Sequence, residues 1–309
     1  MSGPISGQSM VGATLRILPP PNFSFWRTVQ SHGWFDLPPF AREDGKEILG
    51  RLLRLADGSR VACTLFSGKD SIRVRTSSVT PLDAGQRREI VRQLRSCLRL
   101  DEDFSPFHDA ARGYPSFRWI ARSGAGRLLR APTVFEDVVK MICTTNCTWA
   151  LTRIMVTRLV QRLGERFDDS RSTFPLPAAL AGTTDRQLRR ECTTGYRSPY
   201  LLELADHVAS GKLAIEEWRT TPLPTAELFQ TIRSVKGVGP YAAGNILKLL
   251  GRYDYLGLDS WVRGRYAESH TRGRKVKDST IERAYERFGP WRGLFFWLEM
   301  TRDWHPEKL

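Results

Sequence analysis

The hydrophobic pattern changes period once along the chain. From Glu47 onward the apolar positions shift toward every second residue, and Leu52 to Leu55 and Val61 to Phe66 flank Ala56-Asp57-Gly58-Ser59. Asp-Gly between two alternating runs predicts a β-hairpin, because glycine takes the positive φ that a tight turn demands. Asp70 to Ser77 predicts a third strand, and Pro81 to Leu98 a helix with Ile90, Val91, Leu94 and Leu98 on one face. Upstream, Phe23, Phe25, Trp26, Trp34, Phe35 and Phe40 sit between short polar breaks, which reads as irregular structure pinned by rings. Residues 1 to 22 are Gly/Ser/Pro-rich and end in Pro19-Pro20-Pro21, predicting a mobile or extended lead-in.

Beyond about residue 104 the spacing becomes helical. Residues 134–163 predict one or two helices, opened by Thr133 with Glu136 at capping-box distance. Shorter helices are predicted over 176–180, 185–192, 199–210, 225–235, 240–250, 259–269, 279–288 and 291–304. The expected architecture is α+β. A flexible lead-in (1–22) precedes a small antiparallel β-sheet domain with one or more helices (23–120), and a mostly α-helical core follows (121–309).

Composition narrows the partner. The 309 residues contain Lys+Arg 47 against Asp+Glu 33, a formal net charge of +14 spread along the chain. That excess predicts a polyanion, nucleic acid ahead of an anionic membrane surface. Arg112, Arg118, Arg122, Arg127 and Arg130 form a run that suits either a phosphate-facing or a simply solvated surface. A hydrophobic share of 41% supports a packed core and excludes disordered and collagen-like classes. Cys63, Cys97, Cys143, Cys147 and Cys192 are odd in number and irregularly spaced, which argues against a secreted disulfide framework. No second pair follows Cys143 and Cys147, so a four-cysteine zinc or iron–sulfur site is not expected. With no signal-peptide pattern and no run of about 18 apolar residues, a soluble protein of a reducing compartment is expected.

The most informative stretch runs from Ile232 to Leu247 and reads Ile-Arg-Ser-Val-Lys-Gly-Val-Gly-Pro-Tyr-Ala-Ala-Gly-Asn-Ile-Leu. A helix ends near Val235, Gly237 and Gly239 make a tight hairpin, and Pro240 opens a second helix, a position where its missing N–H costs nothing. Glycines that let the backbone come close, followed by a helix N-terminus with open N–H groups, are the parts needed to grip a phosphate. Asp259 follows in Leu256-Gly-Leu-Asp-Ser-Trp-Val-Arg-Gly-Arg-Tyr266, where it suits an N-cap. A carboxylate beside a phosphate-gripping hairpin repels the polyanion, and a charge placed at such a cost points to chemistry.

The hairpin followed by Leu-Asp-Ser-Trp-Val-Arg resembles the signature of the helix-hairpin-helix DNA glycosylases, among them the alkylbase (3-methyladenine) and 8-oxoguanine enzymes. The likeness extends to Arg130–Asn146 and to Thr193-Thr-Gly-Tyr-Arg-Ser-Pro-Tyr200, and it covers roughly Leu128 to Trp304. It implies a catalytic Asp259, with Asn146 filling the gap left by an extruded base. Tyr196 and Arg197 would wedge into the duplex or hold the widowed partner base. Lys236, Gly237, Val238, Gly239 and Arg263 would bind DNA, and the backbone carbonyls of Arg233, Val235 and Val238 would hold a structural monovalent or calcium ion. Tyr241, Phe296, Trp297 and Met300 would line the base pocket. Bifunctional members carry a Lys where this chain has Tyr241, so no Schiff base is expected there; Lys236 and Lys248 are read as lying on other faces of the motif. The implied function is a monofunctional glycosylase of base excision repair acting on an alkylated base, with an 8-oxoguanine or mismatch enzyme, or a non-catalytic hairpin DNA-binding protein, as alternatives. The implied partner is double-stranded DNA containing a damaged base, bound by a monomer with no required cofactor, no iron–sulfur cluster and no membrane. Such a protein belongs in the nucleoid-associated cytoplasm of a bacterium or in a eukaryotic nucleus.

Overall fold

The computed structural model describes residues 9–43 and 46–305. Five antiparallel strands, β1 (Val11–Ile17), β2 (Phe40–Arg42), β3 (Ile48–Arg54), β4 (Arg60–Ser67) and β5 (Ile72–Ser78), form one sheet in the order β1-β5-β4-β3-β2. The Asp-Gly hairpin joins β3 to β4: Gly58 has φ +87°, and the Asp57 carboxylate accepts the Ser59 N–H at 2.8 Å. The extended lead-in is partly strand, since residues 11–17 pair along their whole length with β5; residues 1–8 of that prediction lie outside the described residues.

Four helices accompany the sheet: α1 (Phe25–Val29), α2 (Ala84–Leu98), α3 (Ser105–Arg112) and α4 (Arg118–Ser123). Helix α2 starts at a full capping box between Asp83 and Gln86 and buries Ile90, Leu94 and Leu98. Ten further helices follow. They are α5 (Val134–Thr144), α6 (Trp149–Leu163), α7 (Pro177–Ala181), α8 (Asp185–Glu191), α9 (Ser198–Ala209), α10 (Thr225–Arg233), α11 (Pro240–Leu250), α12 (Ser260–His270), α13 (Asp278–Tyr285) and α14 (Arg292–Met300).

The capping box read at the start of α5 is only half made. Thr133 accepts the Glu136 N–H, but the Glu136 side chain turns into the core, where Arg51 of β3 grips it through two bonds of 2.7 and 2.6 Å and Lys140 through one of 2.7 Å. The Glu216 carboxylate takes over the open N–H groups of Val134 and Phe135, at 2.8 and 3.0 Å. One hydrophobic cluster runs continuously from the sheet through α2 and α5 to α11 and α14.

Several arginines counted toward a basic surface are inside. Arg51, Arg99, Arg127, Arg130 and Arg197 are all buried. Arg99 and Arg130 donate to the Lys248 and Leu249 carbonyls at the C-terminal end of α11, and Arg127 donates to the Arg99 and Glu102 carbonyls. These cations close helix ends, where the dipole favours positive charge, and the run from Arg112 to Arg130 is not one DNA-facing strip.

Candidate active site

Helices α10 and α11 form the hairpin read from the sequence. Gly237 takes φ +85°, and a Cβ there would come within 2.7 Å of the Tyr200 ring. Gly239 has an ordinary φ, and a Cβ on it would meet nothing within 4 Å, so its missing side chain leaves a clear approach to the backbone. The first turn of α11 has no side-chain cap, so its N–H groups point outward, ready for an anion. The two glycines therefore serve different ends. Gly237→Ala is expected to cost about 1–2 kcal/mol of stability, since an L-residue resists that φ. Gly239→Ala is expected to melt like the wild type while losing duplex affinity; calorimetry and an electrophoretic shift separate the two.

Asp259 is the N-cap of α12, its Oδ1 accepting the Val262 N–H at 2.8 Å. The preceding segment is pressed against α11: a Cβ on Gly244 would fall 3.0 Å from the Gly257 Cα, so only two glycines allow the chains to touch there. That contact sets the carboxylate beside α11. The Tyr241 hydroxyl meets both Asp259 and Thr144, and burial together with the Asp259 carboxylate pushes the phenol up to about 12. Tyr241 is therefore neutral beside that carboxylate.

Both residues open onto a cavity of about 650 Å³, a fitting size for a small organic ligand. Trp297 lines it, as expected, but Phe296 and Met300 do not. Both are fully buried, Met300 about one turn beyond Trp297 and Phe296 one residue before it, where it packs edge-on against Tyr285 with ring centroids 5.1 Å apart. One residue along a helix turns a side chain by about 100°, which is the whole difference between cavity and core. The sequence reading missed most of the wall. Trp261 and Trp304 close on Trp297 at centroid distances of 6.2 and 5.8 Å, and the Trp149 ring lies on the Gly33 backbone. His32 and Trp34 arrive from the irregular segment before the sheet. Trp34 donates to Asp137 at 2.8 Å, while His32 Nε2 donates to the Leu129 carbonyl at 2.5 Å; burial pushes that imidazole down to about 4, so it is neutral. Trp297 Nε1 reaches across to the Ser31 carbonyl at 2.8 Å.

Lys248, read as lying on another face, lines the same cavity. Residues 241, 245 and 248 share one face of α11, a spacing that the sequence already contained.

The remaining expected DNA contacts divide. Asn146 (φ +47°) meets the exposed Tyr196, its Nδ2 standing 3.4 Å from the phenol oxygen. Arg197 is buried and does not face outward; it donates to the Thr145 carbonyl and stacks its guanidinium 4.5 Å from the Tyr196 ring, holding the tip rather than forming it. Lys236 is paired with Glu203 at 2.7 Å, and Arg263 with Asp278 through bonds of 2.7 and 2.8 Å. Arg233, Val235 and Val238 lie within one turn, where the Val235 carbonyl accepts the Val238 N–H at 3.0 Å. An oxygen-only set of this kind suits a hard cation. Among the described residues no group of three or more His, Cys, Asp or Glu side chains could hold a metal, and no helix is long and apolar enough to cross a membrane.

The structure superimposes on the 3-methyladenine DNA glycosylase of Archaeoglobus fulgidus with a TM-score of 0.74, at 21% identity, covering 94% of this chain and 98% of that one. Its fold is that of a DNA glycosylase. The Clostridium acetobutylicum 8-oxoguanine glycosylase/lyase, solved with double-stranded DNA containing cytosine opposite 8-oxoguanine, shares this fold (TM-score 0.62, 18% identity, 87% of this chain and 99% of that one). In sequence the chain is 24% identical over 193 residues to the DNA-3-methyladenine glycosylase of Bacillus subtilis, spanning 61% of this chain and 63% of that protein. It thus spans under two thirds of the length of that curated relative. No family model matches the chain. The glycosylase fold contains both the α+β sheet-and-helix organisation and the hairpin expected from the sequence.

Proposed function

We propose that the protein is a DNA glycosylase of base excision repair, which flips a damaged base out of double-stranded DNA and hydrolyses its N-glycosidic bond. The observation that carries this reading is Asp259. A carboxylate is fixed by the Val262 N–H, beside Tyr241, on the wall of an aromatic cavity and next to a hairpin with open N–H groups.

The chemistry follows from those parts. The hairpin and the α11 N-terminus hold the backbone, and Tyr196 with Asn146 occupies the space the base leaves, offsetting the few kcal/mol that extrusion costs. As the glycosidic bond lengthens, the sugar becomes oxocarbenium-like and the carboxylate faces the growing positive charge. The Val262 N–H holds the carboxylate in place, so its contribution is electrostatic, with water entering as the bond opens. Trp261, Trp297 and Trp304 offer π-faces to the base, worth about 0.5–2 kcal/mol to a ring that carries positive charge. This favours an alkylated purine over 8-oxoguanine. A hard cation on the Arg233, Val235 and Val238 carbonyls would add a fixed charge toward a phosphate.

With Tyr241 in the position of the lyase amine, the reading is monofunctional. A panel of duplexes carrying 7-methylguanine, hypoxanthine or 8-oxoguanine tests it. Release of the methylated base, leaving an intact abasic strand and no borohydride-trapped adduct, is expected. A trapped adduct would overturn the monofunctional reading, and release of none of the bases would leave a hairpin DNA-binding protein as the better account.

A further inference from the structure

The mechanism above leaves Lys248 unused. Its side chain is 2% exposed, yet it lines the cavity two turns along α11 from Tyr241 and on the same face. The Nζ donates to the Leu256 carbonyl at 2.5 Å and to Asn245 Oδ1 at 3.1 Å, and the Gly257 backbone presses so close that a Cβ there would lie 3.0 Å from it. The amine is thus pinned at the inner end of a cavity whose other surfaces are mainly aromatic. An ammonium has three donors, so two bonds leave one for an occupant; a free amine carries a lone pair and no charge. The two states make opposite demands: the ammonium repels a cationic ring and favours a carbonyl edge, while the amine tolerates the cation.

We propose that Lys248 is a specificity-determining residue whose protonation state sets the charge of the ring the cavity accepts. This rests on the reading of the cavity as a base pocket. Burial pushes the amine down to about 7, Asp259 pulling the other way, so the switch falls in the physiological range. The other groups around it are Tyr241 on α11, Asp259 after it, His32 and Asp36 from the irregular segment, and Cys147 before α6. Behind His32 stand Lys140 of α5, held by Glu136, and Arg99. Tyr241 at about 12 and His32 at about 4 keep one charge state between pH 6 and 8. Below its folded value Lys248 is charged and the cation is disfavoured; above it the disfavour lifts.

Calorimetric titration of the full chain tests this with 1-methylnicotinamide, a permanent cation, and nicotinamide, its neutral isostere bearing a carbonyl. From pH 6 to pH 8 the affinity for the cation is expected to rise about tenfold, following the neutral fraction of the amine, while that for nicotinamide holds or falls. Lys248→Met should bind the cation at both pH values as the wild type does at pH 8. Lys248→Arg, charged throughout, should stay at the weak pH 6 level and decides the matter if the methionine variant does not fold. A pH-independent wild type, a pH dependence kept in Lys248→Met, a rise in Lys248→Arg, or binding of neither probe would each overturn the proposal. Base release is not the readout, so failure of the excision reading is detected separately.

Discussion

Asp259→Asn is expected to bind damaged duplex as tightly as the wild type and to release base at least about a hundredfold more slowly, the scale on which a preorganised charge acts on a developing cation. The substitution is a clean one because asparagine serves as an N-cap as well as aspartate does. Its side-chain oxygen still accepts the Val262 N–H that Asp259 accepts at 2.8 Å. What disappears is the negative charge facing the sugar. Single-turnover base release and fluorescence anisotropy, run on the same preparation, separate the two quantities. Release at the wild-type rate removes Asp259 from the chemistry and returns it to a helix cap.

The largest effect on stability is expected at Glu136. Glu136→Ala should lower the unfolding free energy by about 3–5 kcal/mol, because it leaves Arg51 and Lys140 as two buried cations with no anion between them. Urea denaturation measures it, and a loss below about 1 kcal/mol would show that water reaches the site. The same triad sets a pH window. Burial pushes the Glu136 carboxyl up, but Arg51 and Lys140 outweigh it and hold the group at about 2, below its ordinary 4.5. A depressed acid contributes stability that is fully present above the unfolded value and is lost as the pH falls from 4.5 toward 2. Its neighbour runs the other way: burial raises Asp137 to about 6, so its favourable contribution belongs to acid and is lost as the pH rises from 3.8 through 6. Acid unfolding should therefore be steep only below about pH 4.5, and Glu136→Gln should flatten it.

What the sequence reveals depends on how local the signal is. The hairpin at Asp57-Gly58 and the pair α10–α11 are written in neighbouring residues and fall where the pattern puts them. Asp259, Tyr241 and Trp297 are legible for the same reason, each lying near a motif that carries its own turn chemistry. His32 and Trp34 are not, because nothing within ten residues of them announces a cavity; they reach it only after the chain folds back. Phe296 and Met300 fail on α14, one and three positions from Trp297, offsets that no periodicity resolves when both faces of a helix are apolar. Arg197 fails differently. A guanidinium in a loop reads as surface, yet here it is spent on the Thr145 carbonyl and on the Tyr196 ring. What stands exposed is the Tyr196 ring, braced from beneath by that arginine.

The hydrogen bond between Trp297 and Ser31 joins residues 266 positions apart. During synthesis the ribosome delivers one wall of the cavity near the start of the chain and the opposite wall near its end. A nascent or prematurely terminated chain that has passed α11 therefore contains the hairpin while lacking the wall that α14 supplies. Enclosure of the cavity then reports completion of the polypeptide, and a frameshift between α11 and α14 should leave the hairpin without that wall.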